Sequence, residues 1–373
     1  MNVVYDLVFF AKERFGGISR YWMEMFKRLP GSAIDPTFLV GPADNIVQDF
    51  LLQNHWFGGH ACIEEASGLF AKLRQLGFYR ALQILPLNAH GSRVFHSTDY
   101  INPLVARPGL KIVTTIHDMV FWDQEDRFDR NVWFWDKRWS TWHALHVSDR
   151  VIAVSHASRD AIVRRFPWAA DRIVVIHHGL DDSLRNVTLR PSKDRSFLFV
   201  GGRNCYKNYE LLVDAFADFA HDYPDWTLNV VGDGESTRAA ELARYRALGI
   251  EDRVQDHGLV AQEKLVDMLS RAGAVVIPSL SEGFNFPLIE AMAAGAPVLS
   301  SSIPASLEIG GSHPRYFDPR SKAELLAAMR ATADSPAAPE ALSAAQAHAR
   351  SFEWQASFDK MCKVYETCLG EAA

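Results

Sequence analysis

Short runs of apolar, β-branched residues alternate with longer amphipathic stretches along this chain, and the alternation occurs twice. A parallel strand buried on both faces reads as a continuous apolar run, and the crossover to its neighbour reads as an amphipathic helix. In the first half the strand candidates are NVVYDLVFF, DPTFLVG, RVFHST, LKIVTTIHD, RVIAVS and RIVVIHHG, with helix candidates such as GISRYWMEMFKRL and SHASRDAIVRRF between them. In the second half SFLFVGG, WTLNVVGDG, RVQDHG, AGAVVIPS and APVLSS are separated by NYELLVDAFADFAHDY and AQEKLVDMLSRA. At 373 residues the chain exceeds one ordinary core, so the pattern implies an α/β protein of two doubly wound domains.

The stretch DDSLRNVTLRPSKDRS, residues 181–196, is polar, carries Pro191 and lacks periodicity, which marks it as an interdomain linker. The expected division is a first domain over 1–183, a second over 195–350, and a terminal segment, 351–373, whose SFEWQASFDKMCKVYETCL reads as an amphipathic helix packing back on the first domain. Two such domains facing one another place the carboxyl ends of their strands, and a ligand, at a central cleft. Functional side chains are therefore expected in the loops that follow strands.

A composition of 48% hydrophobic and 23% charged residues fills two cores and argues against disorder. The formal charge of -6 gives no global electrostatic case for nucleic acid. Cys62, Cys205, Cys362 and Cys368 show neither metal spacing nor a dense disulfide framework, and read as reduced thiols. The start MNVVYDLVFFAKERFGG lacks the features of a secretion signal, and no apolar run reaches the ~20 residues a membrane span needs. A cytoplasmic location follows as the expectation. Peripheral contact at the inner membrane face is left open by the basic amphipathic segment LFAKLRQLGFYRALQIL with Lys72, Arg74 and Arg80, for which an ordinary solvated helix is the plainer reading.

Two charged groupings stand in loops of the second half. After AGAVVIPS, the segment SEGFNFPLIE places Glu282 in a loop, Pro287 in the first turn of a helix, and Glu290 about one turn inside it, with the helix ending near Gly295. Free amides at such a helix start favour an anion such as a diphosphate. Carboxylates beside that anion are repelled by it and accept well from sugar hydroxyls instead. Upstream, FLFVGGRNCYKN sets Gly201, Gly202, Arg203 and Lys207 after a strand, where two cations can neutralise a diphosphate leaving group. Each charge alone is ordinarily a helix-end or surface group. Four of them after two strands of one domain favour a site.

The run PSLSEGFNFPLIEAMAAGAPVLSS resembles the EGFGxPxxEAMAxGxPV signature of family 4 of the GT-B glycosyltransferases, and VGGRNCYKNYELLVDAF resembles that family's donor-phosphate segment. FGGISRYWMEM, TIHD, VIAVSHASRDAIV, VIHHGLDD, VVGDGE and FDP at 317–319 extend the resemblance over nearly the whole chain. It implies two Rossmann-like domains, a nucleotide-diphosphate sugar held mainly by the second, and an acceptor held mainly by the first. By that similarity Glu282 contacts the donor hexose, Glu290 the ribose, Arg203 and Lys207 the diphosphate, and the main-chain amides of Gly283, Phe284, Asn285 and Phe286 complete the cradle, with Gly202 beside them. Asn285 stands where the family often has glycine, and asparagine tolerates positive φ better than most residues.

In the first half, Gly16 and Gly17 precede the helix ISRYWMEMFKRL, and His117 and Asp118 end the strand LKIVTTI. The resemblance places the glycine loop against the donor and His117 near the donor sugar; a plain turn, a structural histidine and a capping aspartate are the alternatives. His96 reads as packed. Five tryptophans fall between Trp122 and Trp142, and Phe128, Val132, Trp135, Trp139 and Trp142 recur at helical spacing, so the preferred reading is a buried helix face. The other reading makes Phe121, Trp122 and Trp133 an acceptor platform.

The resemblance implies retention at the anomeric carbon. With no evident carboxylate nucleophile, the expectation is front-face substitution aided by charge on the departing diphosphate, without a metal, since no DxD motif occurs. No cofactor is expected, only the nucleotide-diphosphate sugar as co-substrate. Similarity to bacterial mannosyltransferases suggests GDP-mannose as donor and a saccharide or lipid-linked saccharide of a surface polysaccharide as acceptor. A nucleotide-sugar epimerase of the same architecture and a non-catalytic sugar-nucleotide-binding protein are the rival readings.

Overall fold

A computed structural model describes residues 1–6, 9, 16–39, 94–100, 109–190, 192–203, 205–234 and 237–370. The segment 69–85 with its basic residues, Pro191 and Cys62 lie outside the described residues. Cys205, Cys362 and Cys368 are free thiols. No described helix is long and apolar enough to cross a membrane.

The chain forms two compact units, one of 1–118, 130–178 and 354–373, the other of 119–129 and 179–353. The first holds the strands β1 (Asn2–Asp6), β2 (Asp35–Leu39), β3 (Val94–Ser97), β4 (Lys111–Ile116), β5 (Arg150–Ala153) and β6 (Ile173–Val175), all parallel, in the order β2-β1-β3-β4-β5-β6. Its helices are α1 (Gly17–Lys27), α3 (Val132–Val147), α4 (His156–Arg165) and α12 (Trp354–Leu369), while α2 (Val120–Asp123) belongs to the second unit. Val3, Val4 and Tyr5 of β1 are fully buried, as a strand covered on both faces requires. The terminal helix α12 is tied in by polar contacts beneath the sheet. The Tyr365 hydroxyl lies 2.6 Å from His96 Nδ1 and 3.1 Å from the Tyr5 hydroxyl, and Ser357 Oγ donates to the His177 carbonyl at 2.6 Å. His96 Nε2 meets Thr115 Oγ1 at 3.0 Å, so both of its nitrogens are engaged and it is a packed residue.

In the second unit β7 (Ser196–Val200), β8 (Thr227–Val231), β9 (Val254–Asp256), β10 (Ala274–Ile277), β11 (Val298–Ser301) and β12 (Arg315–Phe317) form a parallel sheet ordered β12-β11-β10-β7-β8-β9. Its helices are α5 (Tyr209–Asp222), α6 (Arg238–Ala247), α7 (Gln262–Arg271), α8 (Phe286–Ala293), α9 (Pro304–Gly310), α10 (Lys322–Asp334) and α11 (Pro339–Arg350). Leu212, Val213, Phe216 and Phe219 recur at helical spacing and bury one face of α5 against Phe197 and Leu228 of the sheet. Each such side chain contributes about 1.5–3 kcal/mol by leaving water. The strand β12 is one that the sequence pattern does not announce, since RYF is too short to carry a period.

Two expectations change. The polar run 181–196 lies within the second unit and is a strap bound to α7, not a loose connection. Arg190 pairs with Asp267 at 2.5 Å and Ser270 at 2.8 Å, Lys193 Nζ donates to the Ser270 carbonyl at 2.7 Å, and the Asp194 amide donates to the Arg271 carbonyl at 2.7 Å. Its polarity reflects partners on a helix. The aromatic stripe of α3 is likewise not a core face: Val132, Trp135, Trp139 and Trp142 are exposed, and Phe134, Thr141, Ala144 and Leu145 are buried instead. Small Ser140, Thr141 and Ala144 let the helix approach the sheet closely, which bulky indoles at those positions would prevent. Phe121 and Trp122 fall in the second unit and Trp133 in the first.

Candidate functional site

The strand order of the second sheet reverses between β7 and β10, with β8 and β9 outside one and β11 and β12 outside the other. Loops leaving the carboxyl ends of two such strands diverge and leave a crevice, the usual ligand position in a doubly wound sheet. Lys207 and Glu282 stand in those two loops, and Lys207 Nζ lies 2.7 Å from Glu282 Oε1. Both side chains are largely buried, at 17% and 10% exposure. Ser279 Oγ donates to the same carboxylate oxygen at 2.7 Å, and the ammonium lies 5.2 Å from the Tyr206 ring centroid. The main chain joins the loops as well, because the Leu280 amide donates to the Tyr206 carbonyl at 2.8 Å.

Asn208 follows Lys207 in the left-handed region, φ 56° and ψ 35°, a conformation asparagine adopts more readily than other side-chain-bearing residues. From there its amide donates to the carbonyls of Pro278 at 3.0 Å and Pro319 at 2.8 Å, pinning the loops after β10 and β12 to the loop after β7.

Arg203, read from the sequence as the partner of Lys207, has its own acidic neighbours. Its side chain is 4% exposed, with Nη2 3.0 Å from Asp256, Nε 3.6 Å from Glu241 and Nη1 3.0 Å from the Gly232 carbonyl. The guanidinium lies 5.5 Å from the Tyr209 ring, and Gly234 leaves the room it occupies, since a Cβ there would stand 2.7 Å from Cζ. The two cations are thus held by separate anions, Lys207 at the loop after β10 and Arg203 at the ends of β8 and β9.

Asn285 caps α8 with φ 77° and ψ 66°, the positive-φ conformation its glycine-like position requires, and its Nδ2 donates to Ser306 Oγ at 3.0 Å. Pro287 lies in the first turn, and the chain turns at Gly295 with φ 72°. Gly283, Phe284, Asn285 and Glu290 are buried and Phe286 is half-buried, while Phe284 meets Phe286 edge-on at 5.5 Å. Gly202 is half-buried beside Arg203.

The remaining predicted residues belong to the first unit. Gly16 and Gly17 are exposed at the start of α1, and the extended backbone at Gly16 is one any residue adopts, so conformation alone does not call for glycine there. His117 follows β4 in a buried setting. Its amide donates to the Tyr100 hydroxyl at 2.9 Å, its ring stacks on His178 at 5.8 Å, and Tyr21 meets it edge-on at 5.1 Å. Among the described residues His117 Nε2 has no hydrogen-bond partner. Burial pushes its pKa down to about 3, so the ring is neutral at physiological pH.

Ser279, Asn208, Asp256 and Glu241 were not singled out by sequence reasoning. Asn208 carried a signal, as the residue after Lys207 best suited to a left-handed turn. Asp256 and Glu241 gave none, because only the sheet brings them to Arg203.

Residues 15–184 match the family model described as Glycosyltransferase Family 4, and residues 181–348 match the one described as Glycosyl transferases group 1. The D-inositol 3-phosphate glycosyltransferase of Streptomyces scabiei is 32% identical over 248 residues, 60% of this chain and 55% of that protein. The MMP alpha-(1->4)-mannosyltransferase of Mycolicibacterium hassiacum is 26% identical over 282 residues, 72% of this chain and 68% of that one. The chain thus spans little more than half the length of the first of these relatives. Among solved structures, HepE of Anabaena in complex with UDP and glucose has a TM-score of 0.73 at 22% identity, covering 98% of this chain and 100% of that one, a likeness of fold.

Proposed function

The chain belongs to the family 4 glycosyltransferases of two-domain GT-B fold, and from that premise we propose that it is a retaining hexosyltransferase using a nucleotide-diphosphate sugar. The observation that carries this reading is the Lys207–Glu282 pair at the point where the second sheet reverses its order. An ammonium already held between loops is placed to share its charge with a diphosphate. The carboxylate opposite it accepts from hexose hydroxyls, and Glu290 does so from the ribose.

Transfer then proceeds by front-face substitution. The bond from the anomeric carbon to the β-phosphate oxygen breaks with its electron pair going to the diphosphate. The acceptor hydroxyl oxygen bonds to the same face of that carbon, and its proton passes to a departing phosphate oxygen. Lys207 and the buried Arg203 stabilise the charge that develops on the leaving group, so no metal is required. Burial keeps His117 neutral, so it can offer hydrogen bonds but no positive charge. GDP-mannose is the proposed donor, in keeping with the similarity to a mannosyltransferase, and a saccharide or lipid-linked saccharide of a bacterial surface polysaccharide is the proposed acceptor.

The test is a panel of GDP- and UDP-sugars scored for binding and slow hydrolysis by the wild type and Lys207→Ala, with the anomeric configuration of the product read by NMR. Hydrolysis with retention, lost in the variant, is expected. Near-wild-type turnover by Lys207→Ala overturns the assignment, and conversion of the donor sugar into its epimer identifies the reaction as epimerisation.

A further inference from the structure

Val132, Trp135, Trp139 and Trp142 recur at intervals of three and four residues along α3 and therefore line one side of it. They are 87%, 53%, 37% and 41% exposed. Over its 16 residues the helix extends roughly 24 Å at 1.5 Å per residue, so the stripe is long. It continues sideways through His146, which stacks on Trp142 at 5.3 Å and meets Trp168 at 5.7 Å; Trp168 is itself 47% exposed. A contiguous apolar surface of this kind on a folded chain marks an interaction site.

Its rim is basic. Arg138 lies 5.6 Å from the Trp135 ring centroid and Arg172 lies 5.5 Å from that of Trp168. Both guanidiniums sit against indoles of the stripe, so it carries positive charge at its edge in a chain whose net charge is -6.

We propose that this face of α3, with Trp168, docks on the surface of an anionic lipid bilayer. Indoles with an apolar body and a polar N–H settle at the boundary between headgroups and acyl chains, and arginines around them bind lipid phosphates. Two other occupants fit less well. A second copy meeting the same patch about a two-fold axis would bring arginines against arginines. A saccharide chain stacks on open ring faces in a concave site, whereas this surface is the convex side of a helix and Trp139 and Trp142 each have one face covered, by His143 and His146. The surface lies within the first unit and shares no residue with the Lys207–Glu282 site, so the inference stands apart from the proposed reaction.

Vesicle flotation of the full chain tests it, with liposomes of phosphatidylcholine alone and of phosphatidylcholine with phosphatidylglycerol. The wild type is expected to float with the anionic vesicles and to be released by high salt. The triple variant Trp135→Ser, Trp139→Ser, Trp142→Ser and the variant Arg138→Glu are each expected to lose roughly tenfold in partitioning. Their unfolding midpoints and donor hydrolysis in solution should match the wild type, which separates lost docking from lost folding. Equal flotation of wild type and triple variant, or no flotation of the wild type, overturns the proposal. So does a concentration-dependent dimer that the tryptophan variant abolishes, or quenching of the indoles by a soluble glycan in place of vesicle binding.

Discussion

Lys207 Nζ and Glu282 Oε1 lie 2.7 Å apart although 75 positions separate them in the chain. Adjacent parallel strands with diverging loops bring them together as an ion pair. If the pair works as one unit on the donor, the effects of removing its members do not add. Lys207→Ala and Glu282→Ala are each expected to lower turnover by about 10²–10³. The double variant should be little worse than the poorer single one. Steady-state rates of all three, with urea midpoints to confirm intact folds, check this; fully additive losses would show that the two groups act separately.

Asn208 supports that geometry through its backbone and its side chain. Replacing it with alanine forfeits the tolerance of the left-handed region, about 1–2 kcal/mol, and two hydrogen bonds of about 1 kcal/mol each. Asn208→Gly keeps the backbone conformation and loses only the bonds to the Pro278 and Pro319 carbonyls. Stability should therefore fall from wild type through glycine to alanine, with donor KM rising in that same order. Chemical denaturation and donor titration measure both, and an alanine variant as stable as the glycine one contradicts the backbone half of the argument.

The two sheets were legible because parallel strands write themselves as apolar runs, and the turn at SEGFNFPLIE because Asn285 and Pro287 each suit the backbone of a helix start. The α3 face was misread because both sides of that helix are apolar, and period alone does not say which side meets the sheet; close packing chose the side with Thr141 and Ala144. The strap at 181–196 was read as a linker because a polar run looks the same whether its partners are water or the side chains of α7. Arg203 shows a further limit. Its position after a strand was readable, but Asp256 and Glu241 reach it from other parts of the fold.

Three histidines of the first unit, His96, His117 and His178, are buried, and desolvation pushes the first two down to about 3 and the third well below its usual value. Their unfolded values stand near 6.5. Above that, neither state binds protons and the stability is fully present; below it, the unfolded chain protonates while the folded one does not, so stability falls as pH drops from about 6.5 towards 3. Each histidine contributes a slope of up to about 1.4 kcal/mol per pH unit. Denaturant unfolding at pH 7 and pH 5 should show the loss, and His96→Gln should reduce the slope by about one proton's share. A flat profile between those pH values would rule out neutral burial of these rings.

Glycine at 232 is needed for packing as well as conformation. Its φ is 131°, and a Cβ added there would overlap the main-chain carbonyl of Gly201, a neighbour with no flexible end to move aside. Both carbonyls also face Arg203, that of Gly232 at 3.0 Å and that of Gly201 at 3.4 Å. Gly232→Ala is therefore expected to destabilise the second unit by roughly 1–3 kcal/mol or more and to weaken donor binding, because the loop after β7 shifts with it. Gly234→Ala differs in kind. Its added methyl meets the Arg203 side chain, with Cζ at 2.7 Å, so the arginine moves and the backbone need not. That variant should lose activity at a smaller cost in stability. Gly249→Ala is the control for positive φ alone, since φ there is 68° with no atom within 4 Å of the added Cβ, and it should cost only about 1 kcal/mol with unchanged kinetics. Unfolding midpoints and kcat/KM for the three variants separate these effects, and equal stability losses at 232 and 249 would mean that the Gly201 contact is not what requires glycine.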